Sequence, residues 1–115
     1  RKELSLSLVI IKTTEYKKDI QKKIKNKHKK RELEVIEAIE ELMIQSKNMK
    51  QMLLNPLAIV YNIEKKKGNL KEIYTARINP KLRMYIKPIG VYPYKLEEIV
   101  EVELKKIDDK HYGDG

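Results

Sequence analysis

The chain has 115 residues and a formal net charge of +9, with Lys plus Arg 26 against Asp plus Glu 17. That length predicts one domain, residues 1–115, with a single core, and the charge favours a polyanion as partner: nucleic acid, a ribosome, an anionic membrane or an acidic protein. The absence of Cys excludes disulfides and Cys-zinc sites and fits a reducing cytoplasm, while no apolar run reaches the roughly 18–20 residues that cross a bilayer.

Leu4, Leu6, Leu8 and Ile10 alternate with Ser5, Ser7 and Val9. Period two predicts a half-buried strand over 1–12, with its centre at about 4–12. The same LSLSLVII run is too short to span a membrane and lacks the small-residue cleavage site of a secretory signal. Thr13 or Thr14 then offers a helix N-cap, with Glu15 favourable in the first turn.

From Glu15 the period changes. Tyr16, Ile20 and Ile24 fall at i, i+4 and i+8, a narrow apolar stripe on a lysine-rich helix. Residues 26–30 turn the chain. A second helix follows over about 31–54, with Val35, Ile39, Leu42, Met49 and Leu53 in one row and Ile36 and Met43 beside it. Its early outer face is acidic. The segment 15–54 is therefore expected as a helical hairpin in which basic and acidic faces compensate each other; alternatively, the first helix's outer lysines dock on RNA or a ribosome. Asn55-Pro56 ends the helix.

Residues 58–107 read as a meander. Strands are expected at about 58–64, 70–78, 81–88 and 98–107, separated by the Lys65–Asn69 turn, by Asn79-Pro80 and by a loop at 88–97 holding Pro88, Gly90 and Pro93. The tail 108–115 is polar. The order β-α-α-β-β-β-β predicts an α+β, two-layer sandwich: an N-terminal strand, a helical hairpin, then a mainly antiparallel sheet of four further strands. With no Phe or Trp, its core is built from Leu, Ile, Val and Met, with Tyr as the one aromatic type.

Strand alternation puts Ile73, Thr75 and Arg77 on one face, and Arg83, Tyr85 and Lys87 on one face of the next strand. Converging guanidinium and ammonium groups suit a phosphate, because Arg offers a planar fork and Lys a point charge. Charge developing on a phosphorane needs such fixed donors. His111-Tyr112 follows Asp108 and Asp109 near the C-terminus. A histidine there can exchange a proton near neutral pH, and a tyrosine can stack on a base. The plainer readings are a solvated basic face and surface residues. There is no phosphate-binding glycine loop, GxSxG elbow or HExxH motif. Two distant His and no Cys argue against a transition-metal site; a weak Mg²⁺ site on Asp108 and Asp109 stays open.

Four segments in order, Tyr61–Gly68, Ile73–Asn79, Leu82–Tyr85 and Asp109–Tyr112, resemble the RelE/ParE toxin superfamily, most closely its HigB-like and YoeB-like mRNA interferases. The resemblance spans nearly the whole chain, including the upstream strand-helix-helix order. It implies the toxin of a bacterial type II toxin–antitoxin system, a ribosome-dependent endoribonuclease that cuts mRNA without metal or other cofactor. It also implies a role for each matching residue. Arg77 stabilises phosphate charge, and Arg83 binds phosphate or braces the site. Lys65 and Lys67 hold RNA backbone, and the basic strand face, apart from the resemblance, adds Lys87 as RNA-binding. His111 is general acid or base, Tyr112 positions base or phosphate, and Asp109 supports His111. Glu64 is an alternative base. An antitoxin is expected to lay an acidic segment over the basic sheet face. The other readings are a non-catalytic, ParE-like DNA gyrase inhibitor and a plain RNA-binding basic domain.

Overall fold

The computed structural model describes residues 7–109. Five strands, β1 (Val9–Lys12), β2 (Glu64–Lys65), β3 (Tyr74–Arg77), β4 (Leu82–Pro88) and β5 (Glu101–Asp109), form one sheet in the order β1-β5-β4-β3-β2. β1 runs parallel to β5; the other pairs are antiparallel. Helices α1 (Thr14–Asp19), α2 (Lys30–Ile44), α3 (Met49–Leu54) and α4 (Pro56–Val60) supply the second layer of the expected α+β sandwich. Tyr16, Ile24, Ile36, Ile39, Met43, Met49 and Met52 from the helical layer pack with Met84, Ile86, Val102, Leu104 and Ile107 of the sheet in one core. No described helix is long and apolar enough to cross a membrane.

The helices depart from the expected hairpin in three places. Thr13 caps α1, its Oγ1 accepting from the Tyr16 N–H at 3.0 Å. After Asp19 the chain widens into a π-helix, Ile20–Lys25, in which the Asn26 N–H reaches back to the Gln21 carbonyl at 2.8 Å. The long second helix is broken after Ile44. There the buried Ser46 hydroxyl donates to the Leu42 carbonyl at 2.8 Å, and Asn48 starts α3 by accepting from the Gln51 N–H at 2.8 Å. Asn55 ends α3 and also begins α4, since its Oδ1 accepts from the Leu57 N–H at 2.9 Å with Pro56 in the first helical turn. The strand expected at 58–64 is therefore a short helix followed by the two residues of β2.

The expected charge compensation between helices is not formed by ion pairs. Among the described residues, no salt bridge joins the lysines of residues 17–27 to the glutamates of α2. Glu40 instead accepts from the Tyr16 hydroxyl at 2.6 Å and pairs with Lys12 of β1 at 3.1 Å. Burial, with Glu40 as acceptor, pushes the Tyr16 hydroxyl far above its ordinary pKa, so it stays a donor.

One consequence of the short β1 bears on the site. β1 covers β5 only as far as Leu104. Beyond that point side chains take the place of a strand. Thr13 Oγ1 donates to the carbonyls of Leu104 and Lys105 at 3.2 and 2.8 Å. Asp19 accepts from the Ile107 N–H at 2.9 Å, and Lys23 Nζ donates to the Ile107 carbonyl at 2.6 Å. The second half of β5 is thus held along its outer edge by side chains while it stays paired with β4 to Asp109.

Candidate phosphate-binding face

β3 and β4 pair Tyr74 with Ile86, Thr75 with Tyr85, Ala76 with Met84, and Arg77 with Arg83. Cross-strand partners share a face, so Tyr74, Ala76, Met84 and Ile86 enter the core, while Thr75, Arg77, Arg83 and Tyr85 lie on the opposite side. The register continues outward: Glu64 pairs with Thr75, Lys106 with Tyr85 and Asp108 with Arg83. Two transverse rows result, Glu64-Thr75-Tyr85-Lys106 and Arg77-Arg83-Asp108.

Arg77 and Arg83 stand directly opposite each other. The Arg77 N–H turns away from β4 to the Tyr61 carbonyl at 2.7 Å, while the next residue, Ile78, donates to Leu82 at 2.9 Å. Arg77 and Arg83 therefore form a non-hydrogen-bonded pair, the closer of the two antiparallel arrangements, with Cβ atoms about 4.5–5.5 Å apart. Arg77 is exposed, whereas Arg83 keeps only 8% of its surface. Among the described residues neither guanidinium has an ion-pair partner. Asp108, across from Arg83, turns instead to Lys23 and Lys106, each at 3.5 Å. Burial works against its charge, but the Asp109 N–H, Lys23 and Lys106 outweigh that and hold the carboxyl below its ordinary pKa.

Beside this pair the face is hollowed. A cavity of about 360 Å³ is lined by Leu70, Ile73, Tyr85, Lys105, Lys106, Asp108 and Glu15. Lys106 Nζ lies 4.9 Å from the centroid of the Tyr85 ring, a cation–π distance. Two consecutive outward residues, Lys105 and Lys106, arise because the β4–β5 register shifts between Tyr85 and Ile86.

No protein-family model matches the chain, and no curated protein does. Solved structures do. YafQ from E. coli strain BL21(DE3) superimposes with a TM-score of 0.63 at 14% identity, covering 90% of this chain and 93% of that one. The E. coli DinJ–YafQ toxin–antitoxin complex gives 0.61 at 16% identity over 90% and 92%, and a YoeB/ParE toxin from Agrobacterium tumefaciens gives 0.60 at 14% over 90% and 100%. The chain has the fold of these solved toxins. At these identities the likeness speaks for the fold alone, and roles for individual residues rest on this chain's own geometry.

Within this fold, the expected residues divide. Arg77 and Arg83 come together as the strand pattern requires. Lys87 shares their face but is half-buried and 3.8 Å from Glu72. Lys65 does not join them: it pairs with core-facing Tyr74, and its Nζ sits 5.7 Å from the Tyr92 ring. Lys67 is exposed ahead of a 3₁₀ turn, Gly68–Leu70. Asp109 pairs with Leu82, whose side chain points to the core, so the carboxylate opposite Arg83 is Asp108. Glu64 is exposed and in the Thr75–Tyr85 row. His111 and Tyr112 lie outside the described residues, two and three positions after β5 ends.

Sequence reasoning missed Lys105, Lys106 and Asp108 as parts of this face. The signal was present: Val102 and Leu104 are two apart, but the next buried residue is Ile107. That three-residue step marks a bulge and reverses the parity of everything after it. A second, larger cavity, about 450 Å³, opens at the β3–β4 turn and is lined by Lys23, Lys27, Lys29, Lys81, Asn79, Glu32 and Asp109, among others. Asn79 donates to Glu32 there at 3.0 Å.

Proposed function

We propose that the chain is the toxin of a bacterial type II toxin–antitoxin pair and acts as a ribosome-dependent endoribonuclease on mRNA. The observation that carries this is the Arg77–Arg83 pair on the sheet face away from the helices. Like charges directly opposite each other destabilise a sheet, and the carboxylate across from Arg83, Asp108, is engaged by lysines. A polyanion supplies the missing counter-charge. Arginine forks suit a phosphodiester whose charge grows during the reaction.

In the proposed reaction the ribose 2′-oxygen attacks the adjacent phosphorus and the P–O5′ bond breaks. The products are a 2′,3′-cyclic phosphate and a 5′-hydroxyl. A proton leaves the 2′-hydroxyl and one is delivered to the departing O5′. Arg77 and Arg83 hold the phosphorane oxygens. His111 exchanges the proton, with Tyr112 positioning base or phosphate. Glu64, on the same face, is the second candidate for the base. Lys67 and Lys87 hold flanking backbone. The DinJ–YafQ structure is a toxin–antitoxin complex, which supports a cognate antitoxin here. Its segment over the basic face would be acidic.

The test is primer extension on mRNA in a translating extract, comparing the parent with Arg77→Ala and His111→Ala. Cutting by the parent, lost in both variants, is expected. Equal cutting by all three would remove the site assignment. Inhibited DNA gyrase without cutting would replace it with the ParE-like reading, and RNA binding alone with a plain binding domain.

A further inference from the structure

We infer that Lys23 is a positioning residue that draws Asp108 away from Arg83 and so keeps the arginine pair open to phosphate. The inference rests on the phosphate reading of that pair and adds the device that guards it.

By strand register alone, Arg83 would have a partner. It faces Asp108 directly across β4 and β5, and opposed residues have Cβ atoms about 4.5–5.5 Å apart. At that spacing an arginine fork closes readily on a carboxylate. Arg83 keeps only 8% of its surface, so water would screen such a pair poorly. The carboxylate would then occupy the place of a phosphate oxygen. Among the described residues, however, no Arg83–Asp108 pair forms.

Asp108 is held elsewhere. Its Oδ1 accepts from the Asp109 N–H at 2.8 Å and lies 3.5 Å from Lys23 Nζ, while its Oδ2 lies 3.5 Å from Lys106 Nζ. The two lysines are not equivalent. Lys106 divides its ammonium between Asp108 and the Tyr85 ring, whose centroid is 4.9 Å away. Lys23 is anchored: its Nζ donates to the Ile107 carbonyl at 2.6 Å and stands 3.7 Å from Asp19 Oδ1. An ammonium has three donors, and here each has an acceptor in reach. Asp19 is fixed in turn, accepting from the Ile107 N–H at 2.9 Å. Asp19 stands just before the π-helix Ile20–Lys25 and Lys23 within it, so the widened turn sets both against Ile107. Such short π segments concentrate at functional sites. The clamp that replaces a strand beside Ile107 therefore also sets a cation beside the next residue's carboxylate, on the side away from Arg83.

The test is a double-mutant cycle on Lys23 and Asp108. Fluorescence anisotropy follows binding of a labelled RNA pentamer with a 2′-deoxy sugar at the cut. Single-turnover cleavage on programmed ribosomes gives the half-saturating toxin concentration, which carries the cycle where RNA is bound only on the ribosome. Lys23→Met should weaken binding by about three- to fivefold, the worth of one cross-strand pair of opposite charges. Asp108→Asn should bind within about twofold of the parent, and the double variant within about twofold of Asp108→Asn. Lys23→Arg, which keeps the cation, should bind like the parent. A lysine that merely braces Ile107, or attracts RNA by its own charge, would weaken binding as much in the Asp108→Asn background as in the parent. That result, or no weakening by Lys23→Met, overturns the inference and leaves the nuclease reading to stand on cutting by the parent. The expected cycle in binding without any cutting supports the inference and removes the nuclease. A parent that neither binds nor cuts removes both.

Discussion

Replacing Arg77 by Gln should raise stability and abolish function together. In the parent, Arg77 and Arg83 face each other in a close cross-strand pair, with no ion-pair partner for either among the described residues. Opposed like charges cost about 0.2–1 kcal/mol in a sheet. Arg77 is exposed, so water and salt screen it, and the lower half of that range applies. Relief of about 0.2–0.5 kcal/mol should lift the melting temperature by about 1–4 °C. Salt should erase the difference between parent and variant, since the screening length falls to about 3 Å in 1 M salt. Activity should move the other way. Removing one fixed donor from a developing oxyanion costs about 10²–10³ in rate, so single-turnover cleavage on programmed ribosomes should fall by that factor. The pair of readouts matters because a merely structural arginine would lose stability when replaced. A variant that melts lower than the parent and cuts within threefold of it would refute the reasoning.

Other outcomes follow from the same geometry. Thr75 Oγ1 is buried without a hydrogen-bond partner; Thr75→Val should keep its shape, remove the unsatisfied hydroxyl and stabilise by up to about 1 kcal/mol, read in a denaturant melt. Asp19→Ala takes an acceptor from the Ile107 N–H and should cost about 1.5–3 kcal/mol, with amide exchange rising first along the second half of β5. Asp108 has a folded pKa below its unfolded value, so its contribution is full above the ordinary carboxylate range and is lost as pH falls through the folded value. Asp108→Asn should accordingly melt lower than the parent at pH 7, and the gap should close as pH falls through the folded value, below the ordinary carboxylate range; a constant gap would contradict the assignment. His111→Ala should lower cleavage by about 10²–10⁴ and flatten one limb of the pH–rate profile.

The arginine face was legible because its geometry is the simplest a sequence can encode. Alternation alone put Thr75 and Arg77 on one side of β3 and Arg83, Tyr85 and Lys87 on one side of β4, and the short Asn79-Pro80 turn left β3 and β4 adjacent. The errors lie where two rules compete. Ala58-Ile59-Val60 opens the strand expected at about 58–64, and Ile59 and Val60 are β-branched; Asn55 as cap and Pro56 in the first turn decide for a helix, leaving β2 only two residues. Lys65 falls on the other parity from the arginines for that reason, because β2's parity is fixed by Glu64 pairing with Thr75 and not by the run before it. The π-turn at Ile20–Lys25 leaves the Tyr16, Ile20, Ile24 stripe unchanged in sequence, so only the hydrogen bonds reveal it.

The bulge in β5 joins these observations. Without it, strict alternation from Leu104 would carry residue 106 into the core and turn residue 107 outward. With it, Ile107 is buried, its backbone is clasped by Asp19 and Lys23, and Asp108 stands across from Arg83. Lys105 and Lys106 both stay at the cavity rim. One inserted residue therefore sets the parity of the strand's end, and with it which carboxylate meets the arginines and from where the segment bearing His111 sets out. Inserting one alanine between Ile107 and Asp108 tests this directly. The insertion should put the alanine across from Arg83, turn Asp108 to the opposite face and abolish cleavage, whereas deleting Lys105 removes the extra residue and leaves Leu104, Lys106 and Ile107 in regular alternation opposite Ile86, Tyr85 and Met84, so Ile107 should stay buried and cleavage persist in kind. An insertion variant with an unchanged melt and normal cutting would show that strand parity has no such role.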